Sequence, residues 1–430
     1  MSAPPKDAAI ALPERRWSTS ALMALLAAIT ALAPFSLQIF LPALPAIQAS
    51  FAVAPGIVQL ALSLSILANA VANLAYGPIS DRFGRRPVLL VGLAAFVAGS
   101  LGCALASSIE LLIVARIVQS IGGAAGMVLA RAIVRDLYDR ERSASIIAYL
   151  TMAMVVAPML APTIGAVLID VASWRAIFYL VTGIGAVLAW PIVVTLAETR
   201  PPEARRLGGP FAGAAALLHS GLFWSYVLQS TFGICVFFAF IAGAPYFMID
   251  VLGRSATEYG LWFILVSAAF MAGNLVAGRF SGRIGLDRMV LTGSLLAVAG
   301  AGLALLLLLG GAWTPLALFG PMMAVGLGNG FSVPNAQAGA VSVNALLAGT
   351  ASGIAGFSQM FVAALVSQAV GMLQNGTPYP MAGFMAACAV LSSLGFVLPR
   401  RLAGHGTTRA AGTPDRDSRI SSTSRKKSRS

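Results

Sequence analysis

Residues 77–87 read GPISDRFGRRP and join two long apolar segments of the chain. Four charged residues and two glycines gather here, whereas residues 55–76 and 88–107 on either side carry no charge. A shorter version, GRFSGRIG, occupies residues 278–285, and its Gly, Ser, Arg and Gly recur at a constant offset of 201 residues. A repeat at equivalent places in the two halves of a chain indicates two copies of one structural unit.

The composition indicates that lipid is the solvent for most of this chain. Of its 430 residues, 58% are hydrophobic and 10% are charged, whereas about a quarter of the residues in a soluble protein are charged. This extent of apolar surface exceeds what one aqueous core can bury. The net charge of +13 does not predict nucleic-acid binding, because the basic residues lie between apolar blocks and in the C-terminal region and form no continuous basic face.

Twelve apolar stretches have the length of about 20 residues that a membrane-spanning helix requires. We number them spans 1–12, near residues 20–45, 55–79, 87–107, 110–134, 145–169, 174–196, 221–248, 257–281, 288–310, 315–337, 349–374 and 378–399. We predict an all-α membrane protein with two six-helix bundles, at 20–196 and 221–399, around a cavity. Residues 1–19, 197–220 and 400–430 are predicted to be a cytoplasmic N-terminal segment, a central cytoplasmic loop and a basic, disordered cytoplasmic tail.

The distribution of Lys and Arg predicts the orientation of the chain. Of the 28 basic residues, 25 fall in the termini, loops and span ends on the same side of the membrane as the N-terminus. Arg175 and Arg254 fall on the other side, and Arg116 lies within span 4. Because cytoplasmic loops carry the excess of Lys and Arg, both termini are predicted to face the cytoplasm.

Several motifs resemble those of the major facilitator superfamily, and within it the Bcr/CflA group of drug–proton antiporters. The resemblance covers roughly residues 20–400: residues 77–87 match the superfamily's signature between helices 2 and 3, and LPALP at 41–45 is similar to the group's helix 1 signature. RIVQ at 116–119, followed by two glycines, is similar to the helix 4 motif. The antiporter motif of helix 5 is matched through Pro158, Pro162 and Gly165. The resemblance implies a multi-pass protein of the bacterial inner membrane.

The resemblance also implies a gate at the cytoplasmic end of the bundles. A carboxylate at Asp81 could meet the positive N-terminal end of span 11, near Gly349. Arg85 would pair with Asp136 at the end of span 4. The alternative is that these residues are ordinary loop charges, whose basic members only follow the positive-inside rule. The predicted gating residues are Gly77, Asp81, Arg82, Gly84, Arg85 and Asp136.

Arg116 is the charged residue predicted to lie deepest in a span. It is about six residues into span 4, roughly 9 Å from the outer end, and an arginine inside a span usually faces a cavity or a partner because its insertion is costly. Gln38 lies at similar depth in span 1, so the two side chains could meet. The structural alternative is that Arg116 snorkels or donates to backbone carbonyls.

Gln38 leaves the mechanism of proton coupling open. The Bcr/CflA group commonly carries Asp at this position, and glutamine does not titrate. All fifteen Asp and Glu residues, together with His219 and His405, fall in termini, loops or span ends. A proton antiporter normally needs a titrating group within its cavity. Two hypotheses follow: Arg116 binds an anionic group of the substrate, or Asp81 or Asp136 carries the proton.

Polar residues in the spans complete the predicted site. The resemblance places spans 1, 4, 7 and 10 around the cavity. The predicted substrate-binding residues are Gln38, Arg116, Gln119, Gln229 and Asn335. Each amide can equally serve as a contact between helices.

The resemblance implies export of small, amphipathic, drug-like compounds by alternating access and by antiport with protons. The predicted partners are therefore a small-molecule substrate, protons and the lipid bilayer. The alternative is a facilitator, or a carrier of organic anions or metabolites, that lacks the usual proton site of span 1. Cys103, Cys235 and Cys388 show no metal or disulfide spacing, and no Walker motif or nucleophile–base pair is present. We therefore predict a monomeric transporter rather than an enzyme, with no cofactor and no metal.

Overall fold

The computed structural model describes residues 19–199, 217–344 and 347–410, except for the side chains of 401–410 and of several positions between 140 and 195. Within these ranges, twelve helical segments are long and apolar enough to cross a membrane, which confirms the predicted all-α membrane fold. We number the helices α1 (Thr19–Ile39, continued by Leu44–Phe51), α2 (Pro55–Phe83), α3 (Arg85–Ala104), α4 (Ile109–Leu137), α5 (Arg140–Val171), α6 (Trp174–Thr195), α7 (Gly221–Tyr246, followed by the π-helical turn Phe247–Val251), α8 (Ala256–Ile284), α9 (Leu286–Leu309), α10 (Pro315–Ser342), α11 (Ala348–Met372) and α12 (Tyr379–Ala410).

The helices pack as two halves of six. In the first half α3 packs on α4 and α6, and α1 packs on α5; in the second half α9 packs on α10, and α7 packs on α11 and α12. The halves meet along two seams, α2 with α11 and α5 with α8. We call the end at which α2 passes into α3 the motif end, and the other end the opposite end.

The first span is not one helix, contrary to the prediction. Its first part ends at Ile39, a 3-10 turn follows at Leu41–Ala43, and a short helix resumes at Leu44–Phe51. Pro42 and Pro45 lack the N–H groups that a continuous helix requires, which explains the break.

Single glycines replace the predicted loops between spans 2 and 3 and between spans 8 and 9. Gly84 and Gly285 connect α2 to α3 and α8 to α9, with φ of +95° and +93°. An L-residue rarely adopts this conformation, so glycine is required at both positions. Asp81 and Arg82 consequently lie in the last turn of α2 and not in a loop.

Close contact between α3 and α4 depends on glycines. A Cβ on Gly99 would lie 2.8 Å from the Cα of Gln119, and a Cβ on Gly122 would lie 2.8 Å from the Cα of Phe96. Small residues of this kind let helix backbones touch in lipid. The contact places Gln119 directly beside α3, which matters for the surroundings of Arg116.

The last helix extends beyond the predicted boundary of the second bundle. The tail was predicted to be disordered from residue 400, whereas α12 continues to Ala410; residues 411–430 lie outside the described residues. Arg400 anchors the beginning of this extension. Its Nη2 lies 2.8 Å from Asp287 Oδ1, and its guanidinium stacks on the rings of Phe396 and Tyr226.

We expect Arg400→Ala to destabilise the second half. Tyr226 Oη also donates to Asp287 Oδ1 at 2.6 Å, so the substitution breaks a network that joins α7, α9 and α12. The side chain of Asp287 is 55% exposed, and solvent screening limits the expected loss to about 1 kcal/mol. Thermal unfolding in detergent should show a lower midpoint. Arg288→Ala is the control, because Arg288 is an exposed arginine next to Asp287 at the start of α9. Equal midpoints for the two variants would contradict the prediction.

Candidate functional site

A network of charges at the motif end centres on Arg85. Its Nη2 lies 2.8 Å from Asp81 Oδ1, its Nε donates to Asp136 Oδ2 at 3.0 Å, and its Nη1 donates to Ser80 Oγ at 2.6 Å. The predicted Arg85–Asp136 pair is thus present. The network joins the end of α2, the first residue of α3 and the end of α4. The side chains of Arg85 and Asp136 are 12% and 20% exposed, so solvent screens this pair less than an open surface pair.

Glu198, which the sequence analysis did not single out, caps α3. The backbone N–H of Arg85 donates to Glu198 Oε1 at 2.8 Å, and that of Arg86 donates to Oε2 at 3.2 Å. A carboxylate at this position satisfies free amides and the positive end of the helix. A Cβ on Gly84 would lie only 2.5 Å from the same carboxylate, which is a second reason for glycine there.

Among the described residues, no hydrogen bond or ion pair joins the remaining predicted gating residues to the second half. Asp81 pairs with Arg85 and its side chain is 44% exposed. The space beside Gly349 in the first turn of α11 is open, with no neighbouring heavy atom within 4 Å of the position of a Cβ. The same is true of Gly77. The guanidinium of Arg82 lies 5.3 Å from the ring of Phe83. A contact of Asp81 with α11 stays a prediction for another state.

Arg116 is fully buried between α1, α3 and α4. Its side chain has no exposed surface. Nη1 donates to Gln119 Oε1 at 2.5 Å and to the Ser36 carbonyl at 3.5 Å, and the guanidinium lies 4.4 Å from the centre of the Phe40 ring. Gln119 in turn donates to Ser100 Oγ at 2.7 Å. Nε and Nη2 of Arg116 have no hydrogen-bond partner among the described residues. None of the partners named here carries a negative charge.

No hydrogen bond joins Gln38 to Arg116 within the described part of the chain, so a contact between the two stays a prediction. Ser36 and Phe40 are one helical turn apart and both face Arg116. Gln38 lies between them in sequence and therefore projects from another side of α1. It is 6% exposed, and its Oε1 has no hydrogen-bond partner within the described part of the chain.

The predicted amides of the second half are engaged in packing. Gln229 is fully buried and donates to Ser294 Oγ at 3.0 Å, which joins α7 to α9. Asn335 is 6% exposed and donates to the Phe331 carbonyl of its own helix at 2.7 Å. A substrate role for these two residues stays a prediction.

A shallow apolar cavity of about 650 Å³, open over most of its surface, lies at the motif end between α10 and α11, both of which belong to the second half. Gln337 lines it and donates to Gln359 Oε1 at 3.1 Å. The other lining residues are apolar or small: Pro334, Ala338, Val341, Ser342 and Ala348. An apolar cavity with one amide at its wall can accept an amphipathic ligand.

The helix 5 motif packs against α1. A Cβ on Gly165 would lie 3.0 Å from Cγ1 of Ile39, the last residue before the break in α1. Pro162 is buried in the same helix. Pro158 lies outside the side chains that the structure describes. This close contact ties α5 to the point at which α1 changes direction.

Two sets of hydrogen bonds join the halves toward the opposite end. On the α2–α11 seam, Gln59 donates to Ser367 Oγ and Ser63 donates to Gln368 Oε1, each at 2.6 Å, and Gln368 donates to the Gly56 carbonyl at 2.9 Å. These groups are neutral. They hold the beginning of α2 against the end of α11.

The α5–α8 seam has two contacts of its own. Thr163 Oγ1 donates to the Gly260 carbonyl at 2.9 Å, and a Cβ on Gly260 would lie 2.7 Å from the Cα of Thr163. Asp170 Oδ2 accepts hydrogen bonds from the backbone N–H of Thr257 at 3.1 Å and from its hydroxyl. With both seams bonded, the opposite end is closed.

The architecture and motifs agree with a comparison against protein families. The family model described as Major Facilitator Superfamily matches residues 26–367. The chain belongs to the major facilitator superfamily. Members are membrane transporters for small molecules, and the twelve helices make this one a multi-pass bacterial membrane protein.

Relatives within the superfamily confirm the resemblance to the Bcr/CflA group. The MFS-type transporter YdgK of Bacillus subtilis is 31% identical over 386 residues, 87% of this chain and 94% of that one. The bicyclomycin resistance protein homolog of Haemophilus influenzae is 28% identical, over 90% of this chain and 99% of that one. Multidrug resistance protein D of Escherichia coli is 32% identical, over 82% of this chain and 89% of that one.

Solved structures show the same fold. A bacterial homolog to the human lysosomal transporter Spinster, in an inward-facing and occupied conformation, matches with a TM-score of 0.70 and 17% identity, over 89% of this chain and 97% of that one. A D-xylose–proton symporter matches with a TM-score of 0.70 and 15% identity, over 89% of this chain and 96% of that one. These similarities establish the major facilitator fold of this chain.

Sequence reasoning missed the partners that act across helices. Glu198, Asp170 and Asp287 are predicted only to lie at span ends or in loops, although Glu198 and Asp170 bind helix N-termini and Asp287 pairs with the partly exposed Arg400. The repeat offers one signal: Asp287 lies 201 residues after Arg86, and Arg400 lies 202 residues after Glu198. The two junctions are built differently, since Glu198 accepts backbone N–H groups at the start of α3, whereas Asp287 at the start of α9 pairs with the side chain of Arg400.

Proposed function

We propose that this chain is a secondary active transporter that exports small, amphipathic, drug-like compounds by proton antiport. The observation that carries the proposal is its similarity, over 90% and 82% of its length, to transporters named for resistance to bicyclomycin and to multiple drugs. The signature at 77–87 and the helix 4 motif lie within the matched family range of 26–367. The apolar cavity at the motif end supports a ligand of this class.

In this proposal the motif end faces the cytoplasm of a bacterial cell and the protein sits in the inner membrane. The excess of Lys and Arg at that end supports this orientation, with both termini cytoplasmic. The bundles 20–196 and 221–399 are the moving units. Both six-helix halves that alternating access requires lie in one chain, so we propose that a monomer transports.

Alternating access accounts for the asymmetry between the two ends. Hydrogen bonds join the halves along both seams at the opposite end. At the motif end, the described residues leave open space beside Gly349 and a shallow cavity of about 650 Å³ within the second half. A substrate would enter from the cytoplasm in this state. Rocking of the halves would then break the opposite-end contacts and bring Asp81 to the first turn of α11.

Proton coupling must use a group other than Gln38. Asp81 and Asp136 both bind the guanidinium of Arg85. Protonation of either carboxylate would weaken its bond to Arg85 and change the network that joins α2, α3 and α4. The motif-end carboxylates therefore offer a proton site that is mechanically connected to the gate.

The surroundings of Arg116 favour a second candidate function. Among the described residues, Nε and Nη2 of Arg116 have no hydrogen-bond partner, and the side chains that its guanidinium contacts, Gln119 and Phe40, are neutral. An anionic group on the substrate would supply the missing charge and acceptors. The alternative is therefore a facilitator or carrier of organic anions or metabolites without the usual proton site of helix 1.

Transport in everted membrane vesicles separates the two functions. The vesicles hold a proton gradient that a pH-sensitive dye reports, and receive chloramphenicol, a sulfonamide, bicyclomycin or a small organic anion. Antiport predicts that a substrate dissipates the gradient, and that vesicles without the protein show no such change. Accumulation of an organic anion with no proton movement would favour the carrier. Absence of transport for every compound tested would contradict both proposals.

We expect Asp81→Asn to slow turnover strongly without unfolding the protein. The asparagine keeps the size of the side chain but loses the charge that binds Arg85 and that would cap α11. Initial transport rates in vesicles measure the effect, with Asp81→Glu as the charge-retaining control and thermal unfolding as the test of folding. Transport at the wild-type rate would remove Asp81 from the gate.

A further inference from the structure

The end of α5 meets the beginning of α8 across the two halves. Asp170 lies in the last turn of α5, and Thr257 is the second residue of α8. One oxygen of the Asp170 carboxylate accepts both the backbone N–H of Thr257, at 3.1 Å, and the Thr257 hydroxyl. The first amides of a helix have no partner within the helix and form its positive end. Asp170 therefore caps a helix of the other half.

This contact differs in kind from the rest of the closed end. The α2–α11 seam is held by two amides, two hydroxyls and a carbonyl, all of them neutral. The cap from Asp170 is a charge-assisted hydrogen bond, the stronger type. Other charges nearby are already paired, since Arg254 lies 3.8 Å from Glu258. Ser255 serves as the N-cap within the same half by accepting the N–H of Glu258 at 3.1 Å.

We propose that Asp170 is a latch that holds the opposite end closed by capping α8 from the other half. The latch rests on the proposed cycle, in which the two ends open in turn. The α5–α8 seam must separate when the opposite end opens, and Asp170 then loses both hydrogen bonds. The predicted cap of α11 by Asp81 would form at the other end in that state. Each closed end would thus have one carboxylate of the first half on a helix N-terminus of the second.

Distance measurements on the full chain test the latch. Spin labels at Leu105 and Leu309 report the separation of the halves. These residues are 61% and 57% exposed and lie where α3 and α9 finish, both at the opposite end of the protein. The buried cysteines are replaced by alanine in every sample. For Asp170→Ala we expect the ratio of open to closed populations to rise roughly three- to tenfold, because two hydrogen bonds to an exposed carboxylate are lost and solvent screens their charge. Thr257→Val, which loses only the hydroxyl, should give a smaller rise.

The matched control is Glu110→Gln. Glu110 is an exposed acidic residue in the first turn of α4. It lies at the opposite end and in the first half, as Asp170 does. Glu110→Gln should leave the distances between the labels unchanged. A shift equal to that of Asp170→Ala would overturn the latch and indicate a general effect of removing a negative charge. If Asp170→Ala fails to give monodisperse protein, Asp170→Asn replaces it, since it keeps the size and one acceptor.

Unchanged distances in a folded Asp170 variant would overturn the latch. The measurement requires no substrate, so it distinguishes failure of the latch from failure of the proposed function. A shift of the distances together with no transport of any compound would support the latch and contradict the proposed substrates. Drug–proton antiport without a shift would leave the proposed function standing and remove Asp170 from gating.

Discussion

Arg116→Met should reduce transport by about ten- to a hundredfold while the protein stays folded, because a charged hydrogen-bond donor contributes roughly 1.5–3 kcal/mol to a bound partner. Methionine fills much of the buried volume, so the substitution tests charge and not a cavity. Arg116 has unsatisfied nitrogen groups and no exposed surface. Removing such a charge should leave thermal stability equal or higher if the arginine exists for transport. Arg116→Ala should lose transport as well.

The control for Arg116 lies on the same helix. Arg131 is partly buried near the motif end of α4, and its Nη2 lies 3.2 Å from Met154 Sδ. Arg131→Met should cause a much smaller loss of transport. Uptake of an anionic and of a neutral compound is compared for both variants, because selective loss of the anion would assign Arg116 to substrate charge. Normal transport by Arg116→Met would return the residue to packing between α1, α3 and α4.

Gly260→Trp should abolish turnover by keeping the opposite end from closing. The position of a Cβ on Gly260 is 2.7 Å from the backbone of α5 at Thr163, and backbone atoms cannot move aside as a flexible side chain can. The indole ring therefore fits only if α5 and α8 separate. The expected results are transport reduced to the background of vesicles without the protein and a population of open distances between labels at Leu105 and Leu309.

A matched tryptophan variant shows whether this effect is local. A Cβ on Gly302 in α9 would meet no neighbouring heavy atom within 4 Å, so Gly302→Trp should transport normally. Thermal unfolding of both variants in detergent establishes that the protein is folded. Normal transport by Gly260→Trp would show that close contact of α5 with α8 is not a step of the cycle.

Together these expectations describe two ends that are controlled in different ways. At the motif end, Arg85 holds Asp81, Asp136 and Ser80 within the first half. At the opposite end, hydrogen bonds cross from one half to the other. The hydrogen bonds between the halves are concentrated at the opposite end, although α2 and α11 also meet nearer the motif end, where a Cβ on Gly353 would lie 3.7 Å from Cδ2 of Leu74. We expect the bonds between the halves to exchange while the bonds within each half persist.

The sequence predicts which residue types form the candidate site better than it predicts which side chains contact one another there. Arg116 was expected to face a cavity together with Gln38, yet its contacts are Gln119, Ser36 and Phe40. The direction in which Gln38 projects depends on the rotation of α1 about its axis, which apolar residues on all its faces do not determine. The pairing of Arg85 with Asp136 was predicted because the resemblance supplied the partner, and the spacing of 51 residues would not have done so.

The sequence by itself determined the helical membrane fold and the twelve spans, because apolar length is a local property that lipid enforces on any chain. It also determined that residues 77–87 and 278–285 hold equivalent places in the two halves. The structure decided that each junction is a single glycine, Gly84 or Gly285, with positive φ. Only the tertiary structure decided that Glu198 caps α3 and that Asp170 caps α8 over a separation of 87 residues. These partners depend on how the helices are rotated and how the halves are inclined. Many weak side-chain contacts set that geometry jointly, and no single segment encodes it.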